Sequence, residues 1–290
     1  MKFVVPMAFS HPTHYCTLAR VAESTGWDCV AVSDHVVHPE LIRTPYPYTP
    51  DGTPRWQPDA PWPDPWVAIG AMAVATPKLQ FFTNIFVLPM RNPFLVAKAV
   101  GTASLISGGR VALGIGVGWM EDEFELLQQD FKTRGRRTDE MITVMRKLWA
   151  GGMVEHHGRF YKFNRLQMSP ACPHAIPLYG GGLSELALRR AATLCDGWIS
   201  DLHTTAELRE IVARLRKYRQ ESGRTDQAFS IIAAVSDAFD ADGIRRLGDL
   251  GVTHYTTMPW LLYGAGMEIL EDKLAGLRRF GEEVIAKVRD

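Results

Sequence analysis

The sequence predicts a (β/α)8 (TIM) barrel that forms a single domain over residues 1–290. Eight short apolar segments alternate with amphipathic helical segments along the chain. None of these segments strictly alternates apolar with polar residues, which is typical of parallel strands buried on both faces. The chain of 290 residues shows no compositional break. Eight βα units in this length favour a barrel over a doubly wound sheet.

The predicted strands are separated by segments long enough to hold a helix. They are Phe3–Val5, Cys29–Ser33, Leu79–Leu88, Arg110–Ile115, Ile176–Tyr179, Gly197–Ser200, Phe229–Ala234 and Thr253–Thr257. Helix starts are marked as well. Asn92 and Pro93 supply a cap and a first-turn proline, and Thr204 with Glu207 has the spacing of a capping box.

Two insertions interrupt the regular alternation. Residues 38–65 follow strand 2 and hold nine of the 18 prolines, and residues 152–175 are predicted to form a hairpin between helix 4 and strand 5. Loops of this length in a compact domain are usually lids or binding loops, so we expect both to contribute to function. The alternative is a stiff loop that only covers the edge of the barrel.

Composition excludes several classes of partner. The formal net charge is zero, which argues against nucleic acid and anionic membranes, because both demand a basic surface. No segment approaches the roughly 20 apolar residues needed to span a bilayer. The four cysteines lie far apart, so we expect free thiols in a reducing compartment. Together these features predict a soluble, cytoplasmic protein.

Candidate site residues lie where the strands end, because barrel sites are built at the C-terminal ends of the strands. Asp34 and His35 follow strand 2. A histidine there can exchange a proton near neutral pH, and a neighbouring carboxylate can orient it. The alternative is a histidine hydrogen-bonded into a polar core network. The spacing of His11 and His14 is poor for a metal, so we predict no metal site.

The glycine-rich segment "GIGVGW" (114–119) fails the dinucleotide fingerprint, because Trp119 stands where the pattern requires its last glycine. These glycines therefore either contact a different ligand or relieve crowding at a strand end. A second run, "GGGLSE", opens a helix with Ser184 as its cap. It is typical of a phosphate site and equally of a tight turn. For Arg134, Arg136 and Arg137, two roles remain open: they could bind a phosphate, or they could form an exposed, charged face of a helix.

Several segments in order resemble the luciferase-like flavin- and deazaflavin-dependent oxidoreductases. They carry the motifs S-G-G-R, G-x-G-x-G-W, R-G-x-R-x-D-E and D-G-W. The segments are residues 26–35, 92–119, 123–149 and 176–198. The resemblance covers most of the chain up to about residue 200. One departure is Ser104, where relatives often carry an aspartate three residues before S-G-G-R.

The resemblance implies a tricyclic flavin or deazaflavin ring across the mouth of the barrel. Asp34 and His35 would lie beside the ring, with His35 as proton donor or acceptor. Residues of strand 3 would form a bulge behind the ring, in many relatives through a non-proline cis peptide: Thr83, Asn84 and Ile85. The remaining cofactor contacts would be Gly116, Val117 and Gly118 at the ring or its ribityl chain, and Gly180, Gly181, Gly182 and Ser184 at the phosphate.

The same resemblance favours coenzyme F420 (8-hydroxy-5-deazaflavin), and hence hydride transfer to or from a small organic substrate. The alternative cofactor is FMN, which would make the protein a monooxygenase supplied by a separate flavin or deazaflavin reductase. Family members are commonly homodimers. Two hypotheses from other functional classes remain: a metal-dependent barrel hydrolase using His11, His14 and Asp34, and a non-catalytic flavin-binding barrel. Tryptophans that could line an apolar pocket are Trp56, Trp62, Trp66, Trp119 and Trp260.

Overall fold

A computed structural model describes all 290 residues and shows eleven strands. They are β1 (Lys2–Pro6), β2 (Cys29–Val32), β3 (Gln80–Thr83), β4 (Phe86–Val87), β5 (Val111–Gly116), β6 (Val154–His157), β7 (Lys162–Leu166), β8 (Leu178–Gly181), β9 (Gly197–His203), β10 (Ser230–Val235) and β11 (His254–Thr256). Eight of them pair in parallel in the order β1-β2-β3-β5-β8-β9-β10-β11, and β11 returns to β1. The predicted (β/α)8 barrel is confirmed.

Helices surround this barrel. They are α1 (Tyr15–Ser24), α2 (Pro65–Ala75), α3 (Pro93–Ser107), α4 (Glu121–Leu126), α5 (Arg134–Ala150), α6 (Glu185–Leu194), α7 (Thr205–Glu221), α8 (Ala241–Leu250), α9 (Pro259–Leu262), α10 (Leu270–Phe280) and α11 (Ala286–Arg289). The predicted caps are present: Asn92 accepts from Phe94 N–H, and Thr204 and Glu207 form both bonds of a capping box. None of the helices combines the length and apolar character that crossing a bilayer requires.

The core has three parts, of which the smallest holds Val87, Met90 and Phe124. A cluster of 56 buried residues lies between the strands and the helices. A separate cluster of only seven fills the barrel interior, and it includes Val4, Phe82 and Ile232. Both faces of the strands are therefore buried, as the sequence pattern indicates. The small interior cluster leaves the C-terminal mouth of the barrel free for a site.

The predicted third strand differs from the observed one. Residues 79–88 do not form one continuous strand, because the Asn84–Ile85 peptide bond is cis and separates β3 from β4. Both pieces pair with β5. The bulge that the family resemblance implies is thus present in the chain.

Crowding explains two glycines of β5. A Cβ on Gly114 would lie 1.9 Å from the carbonyl oxygen of Thr83, and one on Gly116 would lie 1.9 Å from the Ile85 side chain. Gly118 has a φ of +81°, which side-chain-bearing residues rarely adopt. The segment 114–118 is therefore a crowded strand end that packs on the cis-peptide bulge.

The two insertions have different positions. Residues 38–65 lie over the mouth of the barrel and line the cavity described below. The second insertion forms the predicted hairpin, β6 with β7, but it lines no part of that cavity. Instead, Glu140 of α5 accepts hydrogen bonds from the N–H groups of Arg159, Phe160 and Tyr161. The hairpin is anchored on α5 and does not form a lid over this cavity.

Candidate active site

A cavity of about 810 Å³ lies at the C-terminal mouth of the barrel. Its lining is mostly apolar, as in most cofactor sites. It contains ten of the twelve residues predicted from the sequence: Asp34, His35, Asn84, Ile85, Gly116, Val117, Gly118, Gly181, Gly182 and Ser184. The other two lie in the barrel wall: Thr83 donates a hydrogen bond to the Gly114 carbonyl, and Gly180 packs against Ala191 of α6.

His35 is held by a carboxylate that the sequence reasoning did not single out. Its Nδ1 lies 3.0 Å from Oε2 of Glu123 in α4. The Glu123 side chain is only 2% exposed and also accepts from the N–H groups of Val36 and Val37. Burial acts to raise the pKa of Glu123, but the hydrogen bond and charge of His35 and the two N–H groups outweigh it, so this pKa lies below its usual value. A carboxylate only accepts, so Nδ1 carries a proton and Nε2 is free for a ligand.

Three tryptophans pack against this imidazole, and two further rings pack on the tryptophans. We call the five side chains the aromatic cluster: Phe9, Tyr46, Trp56, Trp62 and Trp119. The ring centroids of Trp56 and Trp62 lie 4.9 Å and 5.1 Å from that of His35, and the centroid of Trp119 lies at 6.2 Å. Phe9 has a φ of 62°, an unusual conformation for a bulky residue, and it packs edge-on against Trp62. The other two candidate tryptophans, Trp66 and Trp260, are buried in the core.

Asp34 has a different environment from the one predicted. Both of its oxygens bind the guanidinium of Arg91, at 2.7 Å and 2.5 Å, and one of them also accepts from Val87 N–H at 2.9 Å. Burial raises the pKa of Asp34, and the guanidinium and this N–H group oppose the rise. Asp34 therefore does not hydrogen-bond His35; it ties the end of β2 to the segment that follows the cis peptide.

The floor of the cavity is the cis-peptide bulge. The hydroxyl of Ser33 donates to the Asn84 carbonyl at 2.8 Å. The side chain of Ile85 occupies the space that a Cβ would fill on Gly116 and comes within 3.0 Å of a Cβ built on Gly181. The glycines thus allow Ile85 to present a flat apolar surface between β5 and β8.

The glycine-rich end of β8 has the features of an anion site. Gly182 has a φ of +104°, and the Ser184 side chain caps α6 by accepting from Ala187 N–H. The first N–H groups of a helix favour a negative group. Arg134 lines the cavity at the start of α5, and Arg190 from the middle of α6 donates to the Gly135 carbonyl at 3.1 Å, which ties α6 to the start of α5.

Arg134 is a cation without a carboxylate partner. Its guanidinium donates to the carbonyls of Gly118 and Phe131 and stacks on the Phe131 ring. Partial burial lowers the pKa of this group. Of the two neighbouring arginines, Arg136 is exposed and Arg137 is buried against the Pro89 carbonyl. Only Arg134 combines a position in the lining with an unpaired charge.

Ion pairs of two arginines, Arg43 and Arg55, fasten the insertion 38–65 over the cavity. Arg55 binds both oxygens of Asp201 at 2.8 Å and 2.9 Å, and Arg43 pairs with Asp122 at 2.6 Å. Asp201 follows the buried part of β9, and Asp122 lies in α4. The proline-rich segment is therefore attached to the barrel at two separate points, with the aromatic cluster beneath it.

Comparison with known proteins decides the family. The family model described as luciferase-like monooxygenase matches residues 6–243. The chain belongs to the luciferase-like monooxygenase family. An uncharacterized protein of Mycobacterium tuberculosis is 36% identical over 99% of this chain and 100% of its own length. An F420-dependent glucose-6-phosphate dehydrogenase of Nakamurella multipartita is 26% identical over 82% of this chain and 67% of its own length.

The fold comparison agrees. The crystal structure of a monooxygenase from Streptomyces bottropensis superposes with a TM-score of 0.76 at 17% identity, covering 99% of both chains. At this identity the likeness concerns the fold alone. The luciferase-like family resemblance inferred from the motifs is confirmed.

The metal-hydrolase alternative finds no matching geometry in this luciferase-like barrel. No group of three or more His, Cys, Asp or Glu side chains is arranged to hold a metal ion. His11 Nδ1 is 2.7 Å from the Thr13 hydroxyl, and both oxygens of Asp34 are bound by Arg91. The three residues of that alternative do not form one site.

Three site residues of this luciferase-like chain were missed or left open by sequence reasoning. Glu123 and Arg91 are 88 and 57 positions from their partners, and nothing local marks them as partners. Arg134 was left open between two roles. An available signal was its place three residues after Phe131 and at the start of α5, but nothing in the sequence separates it from its neighbours Arg136 and Arg137.

Proposed function

We propose that the protein is an oxidoreductase that binds the deazaflavin coenzyme F420 in this cavity and transfers a hydride to or from a small organic substrate. One observation carries the proposal. A single cavity joins an anion-binding end, with Ser184 and Arg134, to a histidine–carboxylate pair, His35 and Glu123. This arrangement suits a cofactor with a phosphate at one end and a reactive ring at the other.

The residues present fit such a cofactor. A volume of about 810 Å³ is in the range of cofactor sites, and the Ile85 surface suits a flat ring. The lining also holds two buried polar atoms without hydrogen-bond partners, Trp62 Nε1 and Thr256 Oγ1. Unpaired buried groups of this kind are rare in native proteins, and polar edges of a bound ring or substrate would satisfy them.

The residues of the chain supply binding, orientation and proton transfer. Bound F420 would supply or accept the hydride. His35 would take a proton at Nε2 from a substrate hydroxyl during oxidation and return it to a carbonyl oxygen during reduction. Glu123 orients the imidazole by accepting a hydrogen bond from Nδ1. The insertion 38–65 would exclude water from the site.

The test is a parallel anaerobic titration with oxidised and reduced F420 and FMN. We expect F420 to bind more tightly than FMN in both redox states. Tight binding of FMN with no binding of F420 would overturn the proposal and favour a monooxygenase supplied by a separate reductase.

Arg134 provides a prediction for the same titration. Arg134→Gln is expected to raise the Kd of F420 by roughly 10- to 100-fold, because a charge-assisted bond to a phosphate contributes about 1.5–3 kcal/mol. Arg136→Gln, which changes an exposed neighbour, is the matched control and should leave the Kd unchanged. The deazaflavin ring compound that lacks the phosphate-bearing side chain of F420 should bind the Arg134→Gln and Arg136→Gln variants with the same Kd. An equal loss for that compound would show that Arg134 acts on the ring or on the fold.

We also propose that the protein is a homodimer joined through α2 and α3. These packed helices carry four apolar side chains that are 55–77% exposed: Val67, Val74, Leu95 and Ile106. Lys98 is the only charged residue of the two helices, so a second copy meets little like-charge repulsion on the same face.

Light scattering should give twice the mass of 32.4 kDa. Leu95→Glu should give the monomer, whereas Leu261→Glu, at an exposed leucine elsewhere, should not. A monomeric wild-type protein would contradict the proposal.

A further inference from the structure

The part of the cavity around His35 has an unusually aromatic wall. Within the aromatic cluster, the ring centroids of Tyr46 lie 5.2 Å from Trp56 and 5.1 Å from Trp119, and those of Trp56 and Trp62 are 5.3 Å apart. Three of the five rings come from the insertion 38–65, which is attached to the barrel by its own ion pairs. The insertion therefore supplies most of this wall, and the loops after β1 and β5 supply Phe9 and Trp119. Offset and edge-on contacts to such rings favour a flat, apolar partner.

The charges near this wall are already paired. The Glu123 carboxylate accepts from His35 and from the Val36 N–H group, and Asp201 binds Arg55 through both oxygens. Arg55 and Arg134 are the only arginine or lysine side chains in the cavity lining. Arg55 is neutralised, and Arg134, whose guanidinium is held by the Gly118 and Phe131 carbonyls, is assigned to the cofactor's phosphate by the proposed function. No free charge therefore remains beside the aromatic cluster to compensate a charged ligand, whose burial would be costly.

Two polar atoms remain for a ligand beside the rings. The indole nitrogen of Trp62 is buried and has no hydrogen-bond partner. The imidazole of His35 has its Nδ1 bound to Glu123, which leaves Nε2. A ligand oxygen could satisfy both, because a carbonyl accepts and a hydroxyl also donates.

We propose that the space beside the aromatic cluster binds a neutral aromatic molecule that carries a carbonyl or hydroxyl oxygen, and that this is the chemical class of the substrate. The identification of this molecule as the substrate rests on the proposed function, whereas its binding beside the aromatic cluster does not. A sugar phosphate is disfavoured here, because the only unpaired cation lies at the cofactor's phosphate end.

The test uses three probes that share one ring system: 2-naphthol, 2-naphthyl phosphate and (2-naphthylmethyl)trimethylammonium. Calorimetric titration of the protein, alone and with F420 bound, should show 2-naphthol binding at one site per chain. The phosphate and the ammonium probe should each bind at least about tenfold more weakly, because neither finds a counter-charge beside the rings. Tighter binding of either charged probe would overturn the inference.

Variants locate the site. Trp62→Leu should weaken 2-naphthol binding by roughly three- to tenfold, the usual worth of one aromatic contact. Trp62→Phe retains a ring but loses the N–H donor, so it should show a smaller loss of 2-naphthol affinity. It also keeps the test valid if Trp62→Leu fails to fold. Trp149→Phe, in the core and outside the cavity, is the control and should bind like the wild type. Unchanged binding in Trp62→Leu would contradict the inference. Loss of F420 binding with 2-naphthol binding intact would instead contradict only the proposed function.

Discussion

Replacing His35 with asparagine is expected to lower kcat by about 10²- to 10⁴-fold, the usual contribution of a general acid or base. The Kd of F420 should change little, because His35 contributes a proton rather than the main cofactor contacts. The measurement is steady-state oxidation of reduced F420 by a panel of aromatic ketones, combined with a binding titration of the same variant.

A second histidine–glutamate pair provides the control for this variant. His156 Nε2 lies 3.2 Å from Glu140 Oε1, but this pair belongs to the hairpin insertion and lies outside the cavity. His156→Asn should therefore retain full kcat. If His35→Asn also retains full kcat, the proton must come from another group, and the role given to His35 is wrong.

Replacing Asp34 with alanine is expected to lower the free energy of unfolding by about 3 kcal/mol. Removing one partner of a buried ion pair usually costs about 3–5 kcal/mol, because the other charge stays behind without compensation. We expect the lower end of that range, since the Arg91 side chain keeps 22% exposure. Urea denaturation of the wild type and the variant measures the difference.

An exposed pair supplies the comparison. Asp242 pairs with Arg245 at 2.8 Å on the surface of α8, and its side chain is 75% exposed. Asp242→Ala should change the stability by less than about 1 kcal/mol, as is usual for exposed pairs. If Asp34→Ala keeps the stability of the wild type but loses turnover, then Asp34 is a catalytic group, as its position after strand 2 predicts. The structural role given to it here would then be wrong.

The barrel could be predicted because its evidence is local. Each strand shows its own apolar run, and caps such as Asn92 and Thr204 lie next to the helices they begin. The mouth of the barrel could be predicted for the same reason, since the site residues directly follow strands whose ends share one edge. Ten of the twelve chosen residues accordingly line a single cavity.

Contacts between distant segments could not be predicted from this one sequence. The glycines of β5 illustrate the limit: Gly114 is required because the Thr83 carbonyl occupies the place of a Cβ, which only the packing of β3 on β5 shows. The same applies to Asp34, whose neighbour in the chain is His35 but whose partner in space is Arg91. The hairpin was predicted from its pattern, whereas its anchoring on α5 depends on the single side chain of Glu140.

The most direct test of the account is a crystal structure of the protein with F420 bound. We expect the ring to lie between Ile85 and the aromatic cluster, in contact with His35, and the phosphate to lie at Ser184 and Arg134. A second large groove lies on the outside of the barrel between α8 and the C-terminal segment 280–290, lined by Phe239 and Tyr263. A cofactor bound in that groove, or a ring turned away from His35, would contradict the account.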